Sequence, residues 1–214
     1  MDKNKMGNKI KENKKRFFYP NEFDKMFEFL NKNGKFTAEL GINTGGRVNE
    51  LRGFIKNPLF DTQRNNIILT ETKVRYTKEE RKKGNTKKPE PRTIPLSKKY
   101  FSKLKRIYKS HRVLSTNAFN IQLKKASEEA KIKDPEQFSS HNIRKTFATW
   151  MLSLGIPPSK VAQHLGHTEK VLFQSYATND LFNTQDKDRM VEIWEDLPKR
   201  LLPDMRYFRW DTLC

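Results

Sequence analysis

Apolar side chains recur along most of this chain at helical spacing. Phe23, Met26, Phe27 and Leu30 fall at i, i+3, i+4 and i+7, which predicts a helix over residues 21–32, stopped by Asn33-Gly34. A second apolar stretch, Phe36 to Ile42, runs into Thr44-Gly45-Gly46, and residues 47–54 form another short helix. The period then changes. Ile67-Ile68-Leu69 and Arg92-Thr93-Ile94-Pro95-Leu96 are β-prone runs flanking a very basic stretch, Lys73 to Lys88, so the spacing predicts a hairpin with a long charged tip. Helical patterning returns afterwards. Ser97 caps a helix with Tyr100, Phe101, Leu104, Ile107 and Tyr108 on one face, and Thr116 caps the next. Ser139-Ser140 precede a third helix that runs to Leu154, and Ser159 starts a short fourth, closed by Gly166. A last helix, about Arg189 to Leu197, carries Val191, Ile193 and Trp194. The fold class is therefore mainly α with a small antiparallel β-sheet, an α+β arrangement.

Charge adds a partner to this picture. The 214 residues hold 44 Lys+Arg against 25 Asp+Glu, a net charge of +19, which points to a polyanion and first to nucleic acid. Hydrophobic residues are only 35%, yet 15 phenylalanines argue against wholesale disorder. No apolar run reaches the roughly 20 residues of a membrane span, so no membrane partner is expected and the chain reads as cytoplasmic. The single cysteine, Cys214, excludes a disulfide framework and a cysteine-based zinc site. Residues 1–18 read as a basic flexible arm, 19–180 as the folded domain, and 181–214 as a C-terminal segment.

Some basic residues stand out by context. Arg47 follows a glycine pair in Thr44-Gly45-Gly46-Arg47-Val48-Asn49-Glu50-Leu51. His141 and Arg144, at i and i+3, share one helix face. His167 ends Leu165-Gly166-His167, and Tyr176 follows nine residues later. Taken singly, each has a bland reading: a helix-start arginine paired with Glu50, a polar helix-end histidine, a core tyrosine. His164 reads as structural, and His111 as a surface residue.

Together these pieces resemble the tyrosine recombinases of the phage integrase and Xer type. The matching segments are TGGRVNEL at 44–51, RTIPLS at 92–97, HNIRKTFAT at 141–149, and LGH at 165–167 with Tyr176. Gly46 departs from the pattern, standing where a larger apolar residue is common. The resemblance implies the mixed, mainly helical catalytic-domain fold and site-specific cleavage and rejoining of double-stranded DNA. Tyr176 is then the nucleophile, leaving a 3′-phosphotyrosyl link and a free 5′ hydroxyl. Arg47 and Arg144 clamp the non-bridging oxygens of the five-coordinate transition state. His141, and after it His167, handles the tyrosine proton or holds the phosphate. A hairpin lysine protonates the leaving 5′ oxygen; Lys73 matches when counted from the first strand and Lys87 when counted back from Pro95, with Lys88 a third choice. In this scheme Glu50 orients neighbouring catalytic groups.

The covalent link preserves the bond energy, so neither ATP, metal nor any other cofactor is implied, and the chain has no Walker A or HExxH motif. The resemblance also implies self-association to a tetramer on DNA, with Val191, Trp194 and Leu197 on a helix face that either docks on a neighbouring protomer or packs on its own domain. Only about 20 residues precede the catalytic pattern, which fits either an excised catalytic domain or a minimal enzyme. The alternatives are a DNA-binding module without catalysis and a type IB topoisomerase.

Overall fold

The computed structural model describes residues 16–70, 91–166, 168–170, 172 and 181–201. Its elements, in order, are α1 (Pro20–Phe29), α2 (Lys32–Thr44), α3 (Val48–Lys56), β1 (Phe60–Asp61), β2 (Asn66–Leu69), β3 (Arg92–Pro95), α4 (Lys98–Ile107), α5 (Thr116–Glu129), α6 (Ser140–Ser153), α7 (Pro158–Leu165), α8 (Thr184–Trp194) and α9 (Leu197–Leu201). This is the mainly helical fold with a small antiparallel sheet expected from the sequence. No helix among the described residues is long and apolar enough to cross a membrane.

The sheet has order β1-β2-β3. Ile67 pairs with Ile94 and Leu69 with Arg92 across the antiparallel β2–β3 ladder. Strand β1, which the sequence pattern did not announce, adds Phe60 opposite Ile67. Ile67, Leu69, Ile94 and Leu96 are fully buried on the face turned to the helices, as period-2 alternation requires.

Several helix ends differ from expectation. The break between the first two helices lies at Leu30-Asn31 rather than at Asn33-Gly34. Asn31 caps α2 by accepting from the Gly34 N–H at 2.8 Å, so Asn33-Gly34 is the first turn of α2. Gly34 is small for packing: a Cβ there would stand 2.3 Å from Gln122 Oε1 of α5. Ser115, not Thr116, caps α5, accepting from the Ala118 N–H at 3.2 Å. The last expected helix starts earlier, at Thr184 behind the Asn183 cap, and breaks at Glu195 before the short α9.

One continuous core joins these elements. Helix α6 runs through it, with Phe147, Trp150 and Met151 fully buried. Phe18 stacks on Phe138 with centroids 4.0 Å apart, and its carbonyl accepts from Trp150 Nε1 at 2.9 Å. Of the expected N-terminal arm, residues 1–15 lie outside the described residues, whereas Phe17 and Phe18 are buried. Trp194 of α8 packs edge-on against Phe147 and Trp150 and donates from Nε1 to the Ile42 carbonyl at 2.7 Å. The Trp194 contacts tie α8 to α2 and α6.

Candidate active site

Arg47 sits where the chain leaves α2 and enters α3. Thr44 closes α2 by donating its hydroxyl to the Leu40 carbonyl at 2.6 Å, and Gly45 follows in the left-handed conformation (φ 59°). Arg47 then precedes the first turn of α3, and Glu50, three residues on, reaches back to accept the Arg47 backbone N–H at 2.9 Å. This is the acid's half of a capping box, favoured further by the positive end of the helix. The other carboxylate oxygen accepts from Arg47 Nη1 at 2.6 Å. Glu50 is only 2% exposed.

Arg144 approaches the same carboxylate from α6. Ser139 caps that helix, its backbone N–H and hydroxyl both donating to Asn142 Oδ1, so Arg144 falls in the second turn. The side chain is 1% exposed. Its Nη1 donates to the Gly45 carbonyl at 2.5 Å and its Nη2 to the Leu165 carbonyl at the end of α7. Nη1 also stands 4.0 Å from Glu50 Oε2. Arg92, at the start of β3, completes the group by donating from Nη2 to Glu50 Oε2 at 2.8 Å and from Nη1 to the Leu165 carbonyl.

One buried carboxylate therefore faces three guanidiniums. Burial alone raises the Glu50 pKa. The Arg92 charge, the Arg47 N–H, and the Arg144 and Arg47 charges outweigh it, and the net pKa lies below the ordinary carboxylate value. Glu50 is thus ionised at neutral pH, and among the described residues of the cluster three guanidiniums face this one carboxylate, a difference of two positive charges. Such an excess, held on rigid elements with part of Arg47 exposed (28% of its side chain), suits a dianionic or trigonal phosphoryl group.

His141 lies one turn before Arg144. Its pKa is lowered from 6.5 to about 4, first by loss of hydration and then by the positive charges of Lys145, Arg144 and Arg47. Because the residue is exposed at the surface, the cations are the more durable of these causes. At pH 7 the ring is neutral, the form that can accept a proton. His164 is different in kind. It is fully enclosed, stacks on Phe147 at 4.9 Å, and hydrogen-bonds through Nε2 to the Thr44 carbonyl at 2.9 Å. The acceptor is a carbonyl, so Nε2 carries the proton. His164 ties α7 to the end of α2 and so sets the approach of Leu165 to Arg144.

Of the sequence-derived candidates, then, Arg47, His141 and Arg144 are brought to one place. Lys73, Lys87, Lys88, His167 and Tyr176 lie outside the described residues. Arg92 was not singled out from the sequence beyond its place in the RTIPLS segment. A lone strand arginine looks like a surface cation, and only contacts 42 and 73 residues away in the chain reveal its setting.

The family model described as "Phage integrase family" matches residues 16–181. No curated protein matches the chain. Among solved structures, it resembles the integrase of the Tn1549 transposon in complex with circular intermediate DNA, with a TM-score of 0.58 at 18% identity, covering 82% of this chain and 64% of that one. XerA recombinase gives a TM-score of 0.56 at 17% identity, covering 83% of this chain and 64% of that one. The integrase from mycobacterium phage Brujita gives 0.50 at 15% identity, covering 92% and 61%. At these identities the likeness is one of fold, and the chain spans less than two thirds of the length of each of these three structures.

Proposed function

The chain belongs to the phage integrase family, and on that premise we propose that it cleaves and rejoins duplex DNA at specific sites through a covalent tyrosyl–DNA intermediate. The observation that carries this reading is the convergence of Arg47 and Arg144 on Glu50 with an excess of positive charge. It is the electrostatic requirement of phosphoryl transfer. The +19 net charge and the DNA-bound state of the Tn1549 integrase support DNA as the partner.

In the proposed reaction the Tyr176 hydroxyl attacks the scissile phosphorus, and the P–O5′ bond breaks as the P–O(tyrosyl) bond forms. The tyrosine proton passes to His141, with His167 as the second candidate. Lys73 or Lys87 gives a proton to the departing 5′ oxygen. Arg47 and Arg144 hold the non-bridging oxygens throughout. Attack of a second strand's 5′ hydroxyl on the phosphotyrosine reverses the step and restores the phosphodiester. Bond energy is conserved, so the scheme needs neither nucleotide hydrolysis nor metal. Strand exchange takes place in a tetramer on DNA, in the cytoplasm.

Covalent trapping tests this. The protein is incubated with nicked duplex fragments of its host genome in EDTA, denatured in detergent and examined for a DNA adduct, with Tyr176→Phe in parallel. An adduct formed by the wild type and absent from Y176F supports the reading, and sequencing the trapped DNA gives the site. Binding without an adduct in either protein assigns the chain to non-catalytic DNA binding. Relaxation of supercoiled plasmid without exchange of partners assigns it to topoisomerase chemistry.

A further inference from the structure

Arg92 has no part in the reaction as drawn, yet both acceptors that its guanidinium reaches among the described residues lie in the candidate active site. Its side chain is largely buried, 12% exposed, and burial is the first cause that lowers its pKa. Its fork spans two acceptors on different helices, Glu50 Oε2 of α3 and the Leu165 carbonyl of α7. Arg144 uses the same Leu165 carbonyl and comes within 4.0 Å of the same carboxylate oxygen. Glu50, Arg92, the Leu165 carbonyl and Arg144 thus close a ring. Arg47 hangs from it through both its guanidinium and its backbone N–H.

We propose that Arg92 is a positioning residue for the recombinase reaction: it locks Glu50 and the Leu165 carbonyl together, and so fixes the relative placement of the two phosphate-binding arginines, Arg47 and Arg144. The proposal rests on the function proposed above. A role in stability alone fits the geometry poorly. The strand is already held by the β2–β3 ladder and by buried Ile94 and Leu96. Arg92 Nε is buried with no hydrogen-bond partner among the described residues, which costs stability. What the arginine supplies is reach in two directions at fixed angles, which neither a lysine nor an apolar side chain gives. Its neighbour is shaped to admit it. Gly166, in the left-handed conformation (φ 63°), would place a Cβ 2.7 Å from Arg92 Nη1.

The test uses the full chain with Arg92→Met and Arg92→Lys, on the duplexes that the wild type traps. Three quantities are read: affinity for the duplex, the single-turnover rate of adduct formation, and the pH dependence of that rate. Arg92→Met is expected to bind within about threefold of wild type. Its adduct formation should slow by roughly 100-fold, the loss expected from a misplacement of about 1 Å. Arg92→Lys should recover part of the rate, since an ammonium reaches Glu50 but cannot fork to Leu165. The acid limb of the rate should move to higher pH in Arg92→Met. Of the charged groups facing Glu50 in the described structure, Arg92, Arg144 and Arg47, it is Arg92 that holds its proton off most strongly. A purely structural role does not move that limb. Wild-type rate and an unmoved limb in a folded Arg92→Met overturn the proposal. If Arg92→Met does not fold, Arg92→Lys decides: slowed chemistry at unchanged affinity supports positioning, and wild-type chemistry overturns it. Failure of the wild type itself to form an adduct removes the function beneath the proposal, and the proposal with it, and is seen separately from either variant result.

Discussion

Replacing Glu50 by Gln tests whether the carboxylate organises the site. The amide keeps the shape but not the charge. In either orientation its NH2 faces donors: Arg47 Nη1 on one side, or the Arg47 N–H and Arg92 Nη2 on the other. Removing one partner of a buried ion pair costs about 3–5 kcal/mol because the remaining charge is left uncompensated. Here Arg47 keeps 28% of its side chain in water and Arg92 12%, so the lower end applies, about 3 kcal/mol. For a domain of this size that is a fall in Tm of roughly 6–12 °C, read by circular dichroism at pH 7. The pH dependence carries the sign. Glu50 has a folded pKa below its unfolded value. Its contribution is therefore complete above the unfolded carboxyl value of about 4.3 and is lost as pH falls through the folded value. The gap between wild type and Glu50→Gln should stay constant from pH 8 to 6 and close below about pH 4. A gap under about 2 °C at pH 7, or one that widens in acid, refutes the reasoning.

Three further outcomes follow from the packing around the site. Trp194→Ala should cost about 3–5 kcal/mol through the cavity it leaves against Phe147 and Trp150, and Trp194→Phe about 1 kcal/mol beyond its smaller volume loss for the bond to Ile42. Equal urea midpoints for both variants and wild type would show that α8 is not part of this core. His164 has its pKa lowered from 6.5 to about 3, by burial first, so between those values the unfolded chain binds the extra proton. Stability should fall by up to about 1.4 kcal/mol per pH unit there as pH drops, and His164→Gln should flatten that slope in urea titrations; identical slopes count against it. Gly166→Ala should lose about 1–2 kcal/mol to the left-handed backbone and slow adduct formation by displacing Arg92, while an unaltered single-turnover rate breaks that link.

The sequence was most legible where structure is local. The face of α4, the Ser97 cap accepting from Tyr100 at 3.1 Å and the left-handed Gly166 that ends α7 are each determined within a few residues. The Asn33-Gly34 pair misled because glycine has two uses. Read along the chain it stops a helix, but here it lets α2 approach Gln122 of α5, a contact between residues far apart in sequence. Strand β1, two residues long, has no period to detect, since its pairing is set by the strand beside it. The site divides the same way. Arg47 and Glu50 sit three residues apart, and their pairing could be anticipated from helix-start geometry.

Arg144 and Arg92 could not be paired with anything by local rules, because the Glu50 carboxylate and the backbone carbonyls they reach lie far off in the chain. Gly45 offers one because α2 ends in a left-handed turn, and Leu165 offers another because α7 does the same. The last carbonyls of a helix have no partner within it, and they carry the negative end of its dipole. Two helix C-termini aimed at one point are therefore a natural seat for buried guanidiniums. They hold positive charge in place without neutralising it, as a carboxylate would. Among the described residues, one carboxylate and two helix ends together hold three arginines. The positions that shape this site are thus the turns at Gly45 and Gly166 as much as the charged residues. A substitution that straightens either turn should disable the arginines while leaving every one of them in the chain.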